Sequence, residues 1–302
     1  MIFINPKIDF AFKKIFGSED SKDILISFLN ALIYEAQPVI QELEIINPYL
    51  APKIRGVKDT YLDIKAKIID RETNEQRSVI IEMQVLNVEG FEKRILYNAA
   101  KSYSTQLTTG QGYHLLNPVI ALTITDFVMF TDLLNVTSRF VLKEKDFLID
   151  YPIYDIELIF VELPKFKKNL AALETIIDKW LFFLNNARKL QDVPPTMDNI
   201  PEIKKAIYIA NQANLNLDEL EEQEKSEIFI QDQRGAITKA ARESLEQGRQ
   251  EGLEGGLKQK AEEITRKMLG VLDNRSITEM RGLTLEELQS LRPIQLNGVY
   301  FI

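Results

Sequence analysis

The chain has 302 residues, 45% apolar and 27% charged, with a net charge of −8, one histidine and no cysteine. That length suits one domain with appendages or two domains. The lack of cysteine removes disulfides, thiol nucleophiles and cysteine-bound zinc and suits a reducing cytoplasm, and no run approaches the ~18 apolar residues of a membrane span.

The N-terminus, Met1 to Pro6, lacks the charged and long apolar segments of a signal peptide. The pattern predicts a helix over Asp9–Phe16 that closes at Gly17, and a second helix capped by Asp20. In the second, Leu25, Phe28, Leu29, Leu32 and Ile33 recur at core-facing helical spacing. Strands are expected over Val39–Asn47, Thr60–Asp70 and Arg77–Leu86, the last two joined as a hairpin through the polar turn Asp70–Glu75. A helical pattern runs from Glu89 to Thr109 and ends at Gly110 and Gly112. His114 follows in a turn and reads as a packed or surface side chain; alone, it cannot build a Ser-His-Asp or histidine-metal site. Val119–Phe130 is almost uncharged, as expected of a strand buried on both faces. Further strands are expected over Arg139–Ile149 and Tyr154–Leu163.

Beyond Pro164 the pattern is helical. Leu173, Ile176, Ile177, Trp180, Leu181 and Leu184 form one stripe, Pro194-Pro195 breaks it, and a charged helix is expected over Pro201–Gln233. Within Ser244–Lys260, Gly248, Gly252 and Gly256 share a face, and each costs about 1 kcal/mol relative to alanine. Close helix approach or a loose connector would explain that spacing; a flexible helical connector is the expectation. Two capping boxes, Ser276–Glu279 and Thr284–Glu287, flank Gly282. With Ile277, Met280, Leu283, Leu285, Leu288 and Leu291 as a shared apolar face they predict a helical hairpin. Its basic residues are only Arg275, Arg281 and Arg292, so docked helices are favoured there over DNA binding.

The element order predicts an α/β fold, a mixed central sheet flanked by helices with a helical C-terminal region. Strand alternation puts Leu62, Ile64, Ala66 and Ile68 on one face and Asp63, Lys65 and Lys67 on the other. In the next strand Glu82 and Gln84 share a face, so Asp63, Glu82 and Gln84 are expected to converge. Two carboxylates and an amide form a hard-cation site of the kind that holds Mg²⁺ or Mn²⁺ and acts on phosphodiesters. A solvated strand face would look similar. Glu82 and Gln84, however, lie within Val79–Val85, a run too apolar for an exposed strand, and a buried carboxylate is costly unless paired or metal-bound.

The ordered motifs Asp9–Gly17, Asp63, Ile81-Glu82-Met83-Gln84, Arg94 and Tyr97, Tyr103 to Gln106, Gly110 and Tyr113, and Asn117–Ile120 carry a resemblance. With them the chain resembles the PD-(D/E)xK nuclease superfamily, which has a restriction-endonuclease-like fold, and within it the Rpn family of recombination-promoting nucleases and putative transposases. The resemblance is close over the first half and extends in style to the glycine-punctuated tail. It implies a metal-dependent DNA endonuclease linked to recombination or mobile DNA, with Asp63 and Glu82 as ligands of Mg²⁺ (or Mn²⁺ or Ca²⁺). Gln84 then stands in the place of the superfamily's usual lysine and positions the attacking water. Lys65 is a candidate for the missing charge, and Asp9 is either an outer ligand or a helix cap. Arg94, Tyr97 and Lys101 share a helix face that could meet DNA phosphates or simply be solvated.

The expected organisation is a nuclease-like domain over 1–168, a helical extension over 169–234, and a connector with a C-terminal hairpin over 235–302. The expected setting is the cytoplasm, with DNA as partner, no membrane, and self-association through the C-terminal region. The alternative readings are an inactive relative that binds DNA or protein, or an oligomerising scaffold.

Overall fold

The computed structural model describes residues 2–50, 60–269, 273–282 and 284–291. In chain order the elements are α1 (Asp9–Phe16), α2 (Lys22–Ile33), β1 (Ile40–Ile46), β2 (Tyr49–Leu50), β3 (Thr60–Tyr61), β4 (Ile64–Asp70), β5 (Gln76–Gln84), α3 (Phe91–Ser104), β6 (Val119–Thr125), β7 (Thr137–Phe140) and β8 (Ile156–Glu162). The helices α4 (Ile176–Asn186), α5 (Pro195–Asp198), α6 (Pro201–Ile209), α7 (Leu217–Met268), α8 (Asn274–Arg281) and α9 (Leu285–Ser290) follow. The described residues up to Asp232 pack as one compact unit and those from Gln233 onward as a second.

Six strands form one mixed sheet in the order β1-β4-β5-β6-β8-β7. β5, β6 and β8 run parallel, and the remaining pairings are antiparallel. Every residue of β6 is buried, as its uncharged sequence requires of a central strand. On one face Ile64, Ala66, Ile68, Val79, Ile81 and Met83 meet α1, α2, α4 and α6 in the main core. There Phe16 lies 4.9 Å from Phe12 and 4.5 Å from Phe28 between ring centroids, and Trp180 lies 5.5 Å from Phe28. These aromatic contacts fasten α4 over α1 and α2, so the helices after β8 complete the sheet's cover. On the other face Leu62, Ile80, Ala121 and Phe160 pack beneath Phe91, Ile95 and Ala99 of α3.

The β4–β5 turn follows its sequence. Asp70 Oδ1 accepts from the backbone of Glu72 at 2.9 Å and of Thr73 at 3.0 Å, and Asn74 adopts φ 56°.

Several local expectations change. Gly17 closes α1 at φ −100° rather than in the left-handed region; glycine is needed because a Cβ would meet the Lys13 carbonyl at 2.8 Å. Asp20 does not cap α2, because a 3₁₀ turn over Glu19–Ser21 precedes that helix. The strand expected over Thr60–Asp70 is broken at Leu62-Asp63: β3 pairs with β2, and β4 begins afresh at Ile64. Leu62 consequently packs with Ile80 and Phe91, on the face opposite to Ile64.

The strand expected over Arg139–Ile149 is confined to Thr137–Phe140. Beyond it the Glu144 carboxylate accepts from the backbone of Asp146 at 2.9 Å and of Phe147 at 2.5 Å, turning the chain out of the sheet. The charged helix expected over Pro201–Gln233 is two helices, since α6 ends at Ile209 and α7 restarts after Asn216, whose Oδ1 accepts from Glu219 N at 2.9 Å.

In the second unit Gly248, Gly252 and Gly256 lie inside continuous helix. Asp273, not Ser276, caps α8, accepting from Ser276 N at 3.0 Å. The Thr284–Glu287 capping box forms around α9. Ile277 and Leu288 are buried while Met280 and Leu285 are exposed; Leu283 and Arg292 lie outside the described residues.

Candidate active site at the end of β5

β5 ends at Gln84 beside the start of β4, where Asp63 sits between two strand segments. Its Oδ2 accepts from Met83 N at 2.7 Å, taking the place of a strand partner that the break removed. From α1, Asp9 shares a hydrogen bond with the Asp63 carboxyl, and Lys13 Nζ stands 3.8 Å from Asp63 and 2.8 Å from Asp9. Asp9 is the first residue of α1 and makes no capping bond, so its side chain is turned to this acid pair and to Lys13. Burial, followed by the neighbouring Asp9, pushes the Asp63 carboxyl up to about 7, although the Met83 amide opposes the shift.

Glu82 faces α3. It is 9% exposed; Asn98 Nδ2 donates to its Oε1 at 2.5 Å, and Arg94 Nη2 stands 3.7 Å from its Oε2. Burial raises its pKa, with Arg94 and Asn98 acting in the opposite direction. Gln84 lies beyond it on the same face, its Oε1 accepting from Arg94 at 2.7 Å and its Nε2 donating to the Leu86 carbonyl at 2.7 Å. The three side chains that alternation assigned to one face therefore have partners on two helices, Asp63 on α1 and Glu82 and Gln84 on α3.

The other candidates are placed as follows. Lys65 pairs across from Ile80 and is half-buried, and burial and then Lys67 lower its pKa. Tyr97 is 40% exposed, whereas Lys101 is buried with Nζ 5.7 Å above the Tyr97 ring, so the face shared with Arg94 presents one cation to solvent rather than two. His114 is exposed in the turn after α3.

Asn98 was not found from sequence. It lies four residues after Arg94 and three after buried Ile95, and a polar residue on the apolar face of a helix was the available signal. Its Oδ1 is buried with no hydrogen-bond partner, as is Ser102 Oγ one turn on.

Among the described residues no three His, Cys, Asp or Glu side chains gather as a metal cage. Two desolvated carboxylates whose charged forms are disfavoured are oxygen donors of the kind a hard divalent cation takes, and such a cation would offset the cost of their burial. Beside Asp9, Met83 and Gln84 opens a cavity of about 430 Å³, walled on the far side by Lys225 and Phe229 of α7. Its size is within the range of small-ligand sites.

A family model described as PD-(D/E)XK nuclease family transposase matches residues 6–240, a span that includes all of these side chains. No curated protein and no solved structure matches the chain.

Proposed function

Since the chain belongs to the PD-(D/E)XK nuclease family transposases, we propose that it is a metal-dependent DNA endonuclease acting in recombination or the movement of DNA. The observation that carries this reading is the pair of desolvated carboxylates at the end of β5, Asp63 held by the Met83 amide and Glu82 one residue before it. Asp63 and Glu82 would hold the cation, Mg²⁺ or Mn²⁺ by the chemistry of their oxygens, with Ca²⁺ as a further occupant. When bound, such an ion polarises the phosphodiester and makes a bound water more acidic.

The chain's own residues supply the rest. The Met83 amide holds the Asp63 carboxylate, and Asn98 holds that of Glu82, so neither ligand must reorganise as the substrate arrives. Asp9 and Lys13 set the charge around Asp63. In the hydrolysis itself the water oxygen bonds to phosphorus and the bond from phosphorus to the leaving sugar oxygen breaks. One water proton ends on that oxygen and the other on the new phosphate or in solvent.

Incubating the purified chain with supercoiled plasmid and Mg²⁺ or Mn²⁺ tests the reading. Nicking is expected, with a loss on the order of 10³-fold in Asp63→Ala and in Glu82→Ala. Cleavage at wild-type rate in both variants would sink the site assignment.

One observation favours a second reading, a relative that binds DNA without cutting it: the Gln84 amide is engaged by Leu86 and Arg94 rather than free to hold a water. DNA retention without metal-dependent nicking would select it. A cytoplasmic setting and self-association through residues 235–302 belong to the same proposal. No helix among the described residues is long and apolar enough to cross a membrane, and the solution mass of the full chain against a chain ending at residue 234 tests the self-association.

A further inference from the structure

Gln84 stands where the resembling superfamily carries a lysine, yet positive charge is not missing from the site. Arg94, in the first turn of α3, donates from Nη2 to Gln84 Oε1 at 2.7 Å and lies 3.7 Å from Glu82 Oε2. Its Cζ rests 5.1 Å from the centre of the Phe91 ring, and Phe91 is 1% exposed within the core under α3. The guanidinium is thus held on two sides, by an amide oxygen and by a buried aromatic face.

The far end of the amide fixes the arrangement. Gln84 Nε2 donates to the Leu86 carbonyl at 2.7 Å. A carbonyl only accepts and a guanidinium only donates, so the amide cannot flip without losing both bonds. Gln84 therefore works as a bracket for Arg94.

We propose that Arg94 is the cationic catalytic residue of this site, delivering from α3 the charge that a lysine at position 84 would deliver from β5, and that Gln84 is its positioning partner. The inference rests on the nuclease reading above. A guanidinium only donates, so Arg94 takes no proton from the attacking water. Its remaining N–H groups donate to non-bridging phosphate oxygens, where negative charge accumulates as the new bond forms. A neutral residue at position 84 follows directly, because an ammonium there would face the guanidinium as a like charge. Lys65 is not an equivalent source, since its partner on β5 is Ile80, two residues short of Glu82 and four short of Gln84.

Single-turnover cleavage at saturating DNA separates this role from simple DNA binding, with affinity measured in EDTA. Arg94→Met should slow cleavage about 10²–10³-fold while the Kd for DNA rises far less. Gln84→Ala, which frees the guanidinium, should slow it about 10–100-fold. In the double variant Gln84→Lys/Arg94→Met, the charge returns from β5, and the rate should rise at least about tenfold above that of Arg94→Met.

A readout without turnover is the Arg94 guanidinium proton resonance, slow to exchange with solvent in the wild type and fast in Gln84→Ala. An Arg94→Met rate within about threefold of wild type, with only the Kd raised, would reduce Arg94 to a DNA contact and overturn the proposal. So would an Arg94 resonance indifferent to Gln84→Ala. A wild-type chain that cuts no DNA with either metal would instead overturn the nuclease reading, and the resonance would still decide whether Gln84 positions Arg94.

Discussion

Asp63 and Glu82 are both desolvated at the end of β5, yet the helices that cover them present opposite neighbours. From α1, Asp63 receives a second acid, Asp9, and a partly exposed lysine. From α3, Glu82 receives an amide and a guanidinium. The α1 side thus holds negative charge that its own residues do not balance, and the α3 side is already balanced and fixed in direction. Affinity for a cation should arise chiefly on the first side, and orientation on the second.

Asn98→Ala attacks the orienting side and carries the largest of the effects that probe this division. The cleavage rate is expected to fall about 10–100-fold, as when a residue supporting a ligand is removed, and Mn²⁺ affinity by calorimetry far less. An equal loss of affinity, or an unchanged rate, would erase the distinction between the sides.

Asp63→Asn tests the unbalanced side through stability. The folded Asp63 carboxyl titrates at about 7, against ~3.9 in an unfolded chain. Between those values the folded protein holds the extra proton, so metal-free stability should fall as pH rises from ~4 to ~7. The asparagine variant should lose that slope and melt several degrees higher than wild type at pH 8. Mn²⁺ should raise the wild-type Tm and leave the variant's unchanged; a wild-type Tm flat with pH would count against the charge imbalance.

The smallest effect belongs to Lys13→Met. Lys13 Nζ is 3.8 Å from Asp63 with its side chain 42% exposed, so its loss should tighten Mn²⁺ binding only about two- to fivefold. Weaker binding in the variant would mean that Lys13 supports the site rather than competes with the cation.

Much of the fold was legible because burial writes itself into periodicity. The uncharged run of β6 and the stripe Leu25, Phe28, Leu29, Leu32 and Ile33 of α2 lie in the core as their spacing requires. Alternation placed Glu82 and Gln84 on one face of β5, opposite Met83, and the structure keeps them there. It misplaced Leu62 because the rule assumes an unbroken strand, and at the break the Asp63 side chain accepts from Met83 N, a bond that no local pattern encodes. The stretch after Phe140, with Val141, Leu142 and Phe147 to Ile149, resembled strand for a similar reason, since the bonds that Glu144 accepts from Asp146 and Phe147 override propensity. Asn98 and the bracketing of Arg94 were hidden because each depends on a contact between α3 and β5.

The bond from Met83 N to Asp63 also bears on how such chains can diverge. Asp63 is located by the backbone of β5, not by uninterrupted pairing with the strand before it. Substitutions that weaken the β2–β3 pairing can therefore accumulate without displacing the carboxylate. Relatives of this chain should vary in that pair, while the spacing from Asp63 through the turn to Met83 stays constant.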